Sequence, residues 1–383
     1  MRVLHASSDW KWTGAAEPLL LLLQALRSRG HAADLACPEP PSPELRSLAS
    51  EARKRGVAPR YKLERGRGIG IVRDTPDVRR MKGWLEETGC EVVHAWHSRD
   101  HGLALRAAGP RRRAGATVLV RSLPGAAAPS FTPWNRWLLG PGCDGLLCVG
   151  EENVRANARL RGGRPLEGYL GVIDSDRFSP SRGPVPGALG LQGLVRGNVI
   201  GIVARMQRHR RFDLLLDAFA LLASRNPDAR LLVLGRGTHR EEVAVRPARE
   251  RGIADRVIFA GYRDKDYVEV LRCVDVLTFL VPGSDGTCRA VLEAAACGIP
   301  CVATRRGALP EIVLDGQTGL LVSEKPEELA RAWEQLLKNQ DLRDRMGETA
   351  RVRVGKEFSP GRLAERVEAL YEALRTGSRG LQQ

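Results

Sequence analysis

Two carboxylates eight positions apart, Asp285 and Glu293, bracket a turn that reads G-S-D-G-T-C-R and the small-residue run A-V-L-E-A-A-A-C-G-I-P that follows. An apolar segment, 276–281, leads into the turn and C-V-A follows the run, so the pattern is strand, glycine turn, helix, strand. Alanine-rich composition favours the helix, Thr287 can serve as its N-cap, and Gly298 with Pro300 closes it. A helix that begins directly after a strand offers unpaired backbone N–H groups and the positive end of its dipole. Gly286, Thr287, Cys288 and Arg289 therefore form a candidate anion site. Carboxylates do not ligate phosphate, but acids on either side of a diphosphate suit sugar hydroxyl groups. The ligand chemistry that fits is a nucleotide-sugar. A surface carboxylate beside an ordinary capping turn would show the same pair, so the companion segments decide.

This stretch resembles the signature of the retaining glycosyltransferases of GT-B family 4 (glycosyltransferase group 1): an acid, seven residues, Glu, then a small-rich helix ending in C-G-x-P. The resemblance implies that Glu293 holds the nucleotide ribose. It places Asp285, standing where relatives have Glu, beside the donor sugar with a reach one methylene shorter. Further segments match in order. The apolar strand 199–204 ends in Arg205, and Arg210 stands five residues on, where the family has Lys. Both are implied to grip the donor diphosphate, whose charge grows as the glycosidic bond stretches, so that fixed cations stabilise it without a metal. A solvated basic loop is the plainer reading of four arginines in seven residues. Gly235 opens a G-x-G turn; Tyr262 and Arg263 end a V-x-F-x-G segment that flanks the nucleobase in relatives; G-A-L-P-E and D-G-Q-T-G-L-L-V complete the series.

The first half matches more thinly. Strand 2–6 leads to a loop in which Gly14 and Glu17 fit the family's G-G-x-E, with Ala15 replacing the second glycine. The segment V-V-H-A-W-H-S-R-D-H resembles V-V-H-x-H, whose histidine lies near the reacting sugar. His97 is assigned there as a catalytic residue and His94 and Asp100 to the acceptor side, the choice between His94 and His97 staying open. Taken singly, each histidine reads more readily as structural.

The expected fold is α/β of GT-B architecture, two Rossmann-like domains with parallel sheets facing an interdomain cleft. An N-terminal acceptor domain covers 1–178, a Pro/Gly-rich linker 179–197, and a nucleotide-sugar donor domain 198–357; 358–383 holds a helix returning to the first domain and a loose tail. The resemblance implies a metal-independent hexosyltransferase without cofactor, moving a sugar with retention from a nucleoside-diphosphate sugar to a glycan or lipid-linked acceptor of cell-envelope polysaccharide or lipopolysaccharide. A GT-B nucleotide-sugar epimerase and a catalytically idle GT-B binding protein are the alternatives.

Composition sets the outer bounds. At 383 residues the chain exceeds a single-core size. No apolar run nears the ~20 residues that span a bilayer, and M-R-V-L enters a strand without a signal-peptide core. Eight cysteines without a C-x-x-C pair read as reduced structural thiols in a cytoplasm, with no zinc site. The net charge is +15, and 53–82 holds eleven basic residues against three acidic ones. Such a patch takes polyanions. Only 5% of residues are aromatic and no nucleic-acid motif is present, so an anionic membrane surface on the inner face is preferred over nucleic acid, with a solvated arginine-rich face as the plain alternative.

Overall fold

The computed structural model describes residues 1–377 other than 15, 67–68, 71, 124–128, 131, 162, 182–185, 195–196 and 283–286. Two compact units result. The first is Met1–Val172 with the chain from Pro360 onward and a short piece ending at Thr287; the second is Ile173–Gly283 with Cys288–Ser359.

In the first unit β1 (Arg2–Ala6), β2 (Ala32–Cys37), β3 (Tyr61–Lys62), β4 (Val92–Ala95), β5 (Val118–Leu123), β6 (Gly145–Val149) and β7 (Leu166–Tyr169) make one sheet in the order β3-β2-β1-β4-β5-β6-β7. In the second, β8 (Val199–Val203), β9 (Arg230–Leu234), β10 (Val257–Gly261), β11 (Val276–Phe279), β12 (Cys301–Thr304) and β13 (Gly319–Val322) pair as β10-β9-β8-β11-β12-β13. Every pairing is parallel. Parallel strands need helical crossovers, which cover both faces, and the strand sequences are accordingly near-continuous apolar runs such as V-L-V and L-L-V-L. Strand order reverses between β1 and β4 and again between β8 and β11. In doubly wound sheets ligands settle at those two places, beyond the carboxyl ends of the strands.

Helix Ala16–Ser28 buries Leu19, Leu20, Leu22, Leu23 and Leu26 completely or nearly so in the first core. The last helix, Pro360–Thr376, adds Leu363, Val367, Leu370 and Tyr371 to the same cluster. Burying side chains of this kind is worth about 1.5–3 kcal/mol each, so a segment remote in sequence is a structural part of this unit. In the second core Phe219 of helix Phe212–Arg225 and Trp333 of helix Pro326–Lys338 share one cluster, and the Trp333 indole donates to Thr278 Oγ1 at 2.7 Å.

Local boundaries differ modestly from expectation. Between β2 and β3 lies the helix Leu48–Lys54, capped by Ser47, and β3 itself is only two residues long. Two short helices, Pro133–Leu139 and Tyr267–Leu271, fall in segments to which the sequence reading assigns no element. The first carries its own signal, Thr132 accepting from Asn135 N with Pro133 at the opening position.

Candidate functional site

The reversal point of the second sheet lies between β8 and β11, and the residues leaving β8 are Ala204, Arg205 and Met206. Their backbone lies directly on the G-R-G turn after β9: Ala204 N donates to Leu234 O at 3.0 Å and Met206 N to Arg236 O at 3.3 Å. A Cβ on Gly235 would stand 2.1 Å from Ala204 O, and one on Gly237 2.1 Å from Met206 O. Gly235 also has φ +138°, and its N–H is taken by Gly261 O at 2.8 Å. Glycine here lets two backbones touch and so fixes the root of Arg205.

Arg205 is exposed and has no hydrogen-bond or ion-pair partner among the described residues. Its neighbours are different. Arg208 forks onto Glu242 at 2.8 and 3.0 Å, and Arg211 meets Asp213 and Glu324. Arg210 extends across to the end of β11, where Nη1 donates to the carbonyls of Val281 and Pro282 at 3.0 Å each. That puts its guanidinium at the last described residues before 283–286. Asp285 and Gly286 lie outside the described residues.

The helix beyond them is Arg289–Ala296. Thr287 is not its N-cap, a correction to the sequence reading: Cys288 occupies that position, in the left-handed region at φ 45°, and its buried thiol makes no capping bond. A side-chain cap needs extended backbone at the capping residue, which Cys288 does not have. Cys288 itself therefore places no side chain over the N–H groups of the first turn. A non-glycine residue at positive φ is costly and tends to mark functional turns.

Glu293 is 2% exposed and held from two sides, Arg289 Nε donating to Oε1 at 2.6 Å and the Tyr267 hydroxyl to Oε2 at 2.5 Å. Burial first, and the Glu293 charge second, push the Tyr267 phenol well above its ordinary range, so it stays a donor. Tyr267 was missed by sequence reasoning; a lone tyrosine opening an apolar helix carries no local signal. The Tyr262 ring is 58% exposed with the Arg236 guanidinium 4.9 Å from its centroid. Arg263 is pinned by Ala260 O, Asp266 and Leu189 O, so it shapes the loop instead of reaching outward.

In the first unit the reversal point lies between β1 and β4. Asp100, fully buried, accepts from Ser8 N at 2.7 Å and His97 N at 2.8 Å, tying the loop after β1 to the loop after β4. Burial raises its carboxyl above the usual range. Both oxygens are engaged by the scaffold. His94 is buried as well: Nδ1 lies 2.6 Å from the Tyr371 hydroxyl and Nε2 2.7 Å from Ser122 Oγ. Burial drives its pKa well below the ordinary value, and no ring nitrogen is left for a substrate. His97, at the N-cap position of helix Ser98–Arg113, is the histidine of this stretch that reaches the surface. Gly14 lies in the turn before helix Ala16–Ser28, with Ala15 outside the described residues, and Glu17 is paired with Arg55 at 3.2 Å. A further residue escaped the sequence reading although an arginine inside V-L-V-R-S-L is conspicuous. Arg121, at the carboxyl end of β5, is 6% exposed, its Nη2 lies 3.4 Å from Ser98 Oγ, and burial lowers its pKa to about 10. Among the described residues no three His, Cys, Asp or Glu side chains converge as a metal cage.

Comparison with known proteins gives the family and the fold. The family profile described as "Glycosyl transferases group 1" matches residues 194–353, and "Glycosyltransferase Family 4" matches residues 12–165. Over 222 residues the chain is 38% identical to a D-inositol 3-phosphate glycosyltransferase of Corynebacterium jeikeium, the match covering 55% of this chain and 52% of that protein. Over 258 residues it is 33% identical to the GDP-mannose-dependent alpha-(1-6)-phosphatidylinositol monomannoside mannosyltransferase of Mycolicibacterium smegmatis, covering 63% and 66%. The chain thus spans about half the length of the first relative and just under two thirds of the second. Anabaena HepE, solved in complex with UDP, superposes with a TM-score of 0.78 at 17% identity over 97% of this chain and 100% of that one, a likeness of fold. Its two profiles, taken in chain order over two parallel α/β units, show that the chain belongs to the group 1, family 4 glycosyltransferases of GT-B fold.

Proposed function

We propose that the protein transfers a sugar, with retention, from a nucleoside-diphosphate sugar to a lipid-linked or other cell-envelope glycan acceptor. The observation that carries this reading is the second reversal point. Arg205, without an ion-pair partner among the described residues, stands at the end of β8, Arg210 is drawn to the end of β11, and a helix with Cys288 at its N-cap position follows, with Glu293 fixed on its second turn.

In this reading the diphosphate rests on the first turn of Arg289–Ala296 and on Arg205 and Arg210, while Glu293 accepts from the ribose hydroxyls. As the bond between the anomeric carbon and the diphosphate oxygen breaks, its electron pair goes to that oxygen, and the two guanidinium groups stabilise the new charge. The acceptor hydroxyl attacks from the same face and its proton passes to the departing phosphate. Asp285 is assigned to the donor sugar, Tyr262 to the base and His97 to the acceptor side. The two curated relatives are named for phosphate-bearing acceptors, one of them a lipid. With a first unit rich in arginine, this favours an anionic acceptor at an inner membrane face.

A thermal-shift series with uridine, guanosine and adenosine diphosphates tests the donor site. One of them is expected to stabilise the protein by about 2.7 kcal/mol at a hundredfold excess over its Kd, and Glu293→Ala is expected to abolish that response. A protein that answers none of the three has no such site.

A further inference from the structure

Three arginines are buried among the described residues, Arg99, Arg121 and Arg161, and two of them are well supplied with acceptors. Arg99 donates to Asp74 at 3.0 Å, to Asp77 at 2.8 Å and to Glu64 O at 2.8 Å. Arg161 donates to the carbonyls of Leu139, Cys143, Asp144 and Pro165. Arg121 is different. It forms no ion pair among the described residues, its one hydrogen bond is long, 3.4 Å from Nη2 to Ser98 Oγ, and its buried Nη1 has no partner.

The carboxylate whose charge reaches this guanidinium is Asp100, and both Asp100 oxygens are already held by Ser8 N and His97 N. A charge taken out of water needs an opposite charge or acceptors around its donors. Arg121 is still charged at neutral pH, since burial lowers its pKa only to about 10. What would complete it is an oxyanion.

Its position suits such a ligand. Arg121 lies in register with Ala95, the last residue of β4, and so at the carboxyl edge beside the reversal point between β1 and β4. Helix Ser98–Arg113 begins there. Its opening N–H groups have no acceptor inside the helix, and its dipole favours negative charge. Ser98 is exposed, whereas Arg99, Asp100 and His101 behind it are buried. The guanidinium, 6% exposed, is therefore recessed one side chain below the surface, under a hydroxyl that can donate to the same anion. Depth selects the ligand. A terminal oxyanion can turn all its free oxygens toward the recess, while a phosphate esterified on both sides must carry a second chain in with it.

We propose that Arg121 and Ser98, with the first turn of helix Ser98–Arg113, receive a terminal oxyanion of the acceptor, a phosphate monoester or a carboxylate, and reject a phosphodiester. This rests on the transferase reading and names the acceptor feature that the first unit selects. His97, at the N-cap position of the same helix, stands next to it.

The test is calorimetric titration of the full chain, first saturated with the stabilising nucleoside diphosphate so that the donor site is filled, or free if none stabilises it. Glycerol 3-phosphate is the monoester probe, malate the carboxylate and glycerophosphocholine the diester. At least one of the first two is expected to bind saturably, about tenfold or more tighter than the diester. Arg121→Met should weaken that binding about ten- to a hundredfold, and Arg121→Lys should recover part of the loss. A second readout separates a ligand-binding cation from a structural one. Without ligand, Arg121→Met should melt no lower than the parent, because it removes a buried charge that nothing compensates. A clear fall in that midpoint would assign the guanidinium to the fold and overturn the proposal. So would binding of neither terminal oxyanion, equal affinity for the diester, or affinity indifferent to Arg121→Met. Protein that keeps its nucleoside-diphosphate shift but shows no Arg121-dependent binding ends this proposal alone. Arg121-dependent binding in a protein that answers no nucleoside diphosphate ends the transferase reading alone.

Discussion

Arg205 and Glu293 divide the work of the proposed donor site between charge that must appear and groups already present. Diphosphate charge grows only as the bond breaks, so the Arg205 guanidinium is worth most in the transition state, and Arg205→Ala should lower kcat by about 10²–10³ with little change in KM. In the proposed site Glu293 would meet ribose hydroxyls that do not change, so its contribution there belongs to binding. Tyr267→Phe removes one of its two fixed partners and should raise the donor KM about tenfold with kcat nearly intact. Steady-state kinetics of the two variants decide it; a KM effect from Arg205→Ala with unchanged kcat would sink the assignment. Arg205 and Glu293 were both visible in the sequence, because a residue's place after an apolar run or inside an alanine-rich one is a local fact. Tyr267 was not, since its partner is 26 positions away. The silence of His94 had the same cause: the groups that occupy its ring are Ser122 and Tyr371, 28 and 277 positions distant.

Among the elements, the β9 turn has the most exacting geometry. Gly235 combines a left-handed φ of +138° with a backbone carbonyl 2.1 Å from where a Cβ would be, so nothing flexible can give way. Gly252, at φ +67° with no atom within 4 Å of the same place, is the natural control. Gly252→Ala should cost about 1 kcal/mol for backbone strain alone, and Gly235→Ala roughly 3 kcal/mol or more, because the Arg205 segment must also shift. Urea denaturation compares them; equal midpoints would show that the close packing of the two turns is not what demands glycine. The order of strands and helices was legible because apolar runs and Gly/Pro punctuation are short-range signals. Less legible were the short helices Pro133–Leu139 and Tyr267–Leu271, which are too brief for a period to show. The left-handed N-cap at Cys288 was hidden as well. Thr287 is the better capping residue by type, and only the backbone conformation at Cys288 excludes it.

At the scale of the molecule the two units differ in how they should answer acid. His5, His94 and His101 of the first unit are fully buried and held neutral by that burial, the first and last at about 3. The second unit's two histidines, His209 and His239, both reach the surface. An unfolded histidine binds its proton near 6.5, and a folded chain that refuses it loses stability as the pH falls from 6.5 toward 3. Each such residue costs about 1.4 kcal/mol per pH unit, hence roughly 2 kcal/mol at pH 5 and about 6 kcal/mol for the three together. That sum is an upper bound, because Asp100, with its carboxyl raised by burial, takes up a proton in the folded state and offsets part of it. Six of the seven tryptophans lie in the first unit and only Trp333 in the second, so intrinsic fluorescence follows the acid-sensitive half. Between pH 7.5 and pH 5 the fluorescence midpoint should fall by roughly 10 °C or more, given about 2–4 °C per kcal/mol for a unit of this size. The transition that a nucleoside diphosphate protects, which belongs to the second unit in the reading above, should move much less. A fluorescence midpoint that stays within about 2 °C over that range would mean the three imidazoles reach protons in the folded state, and that His94 is open to solvent and hence to a substrate after all.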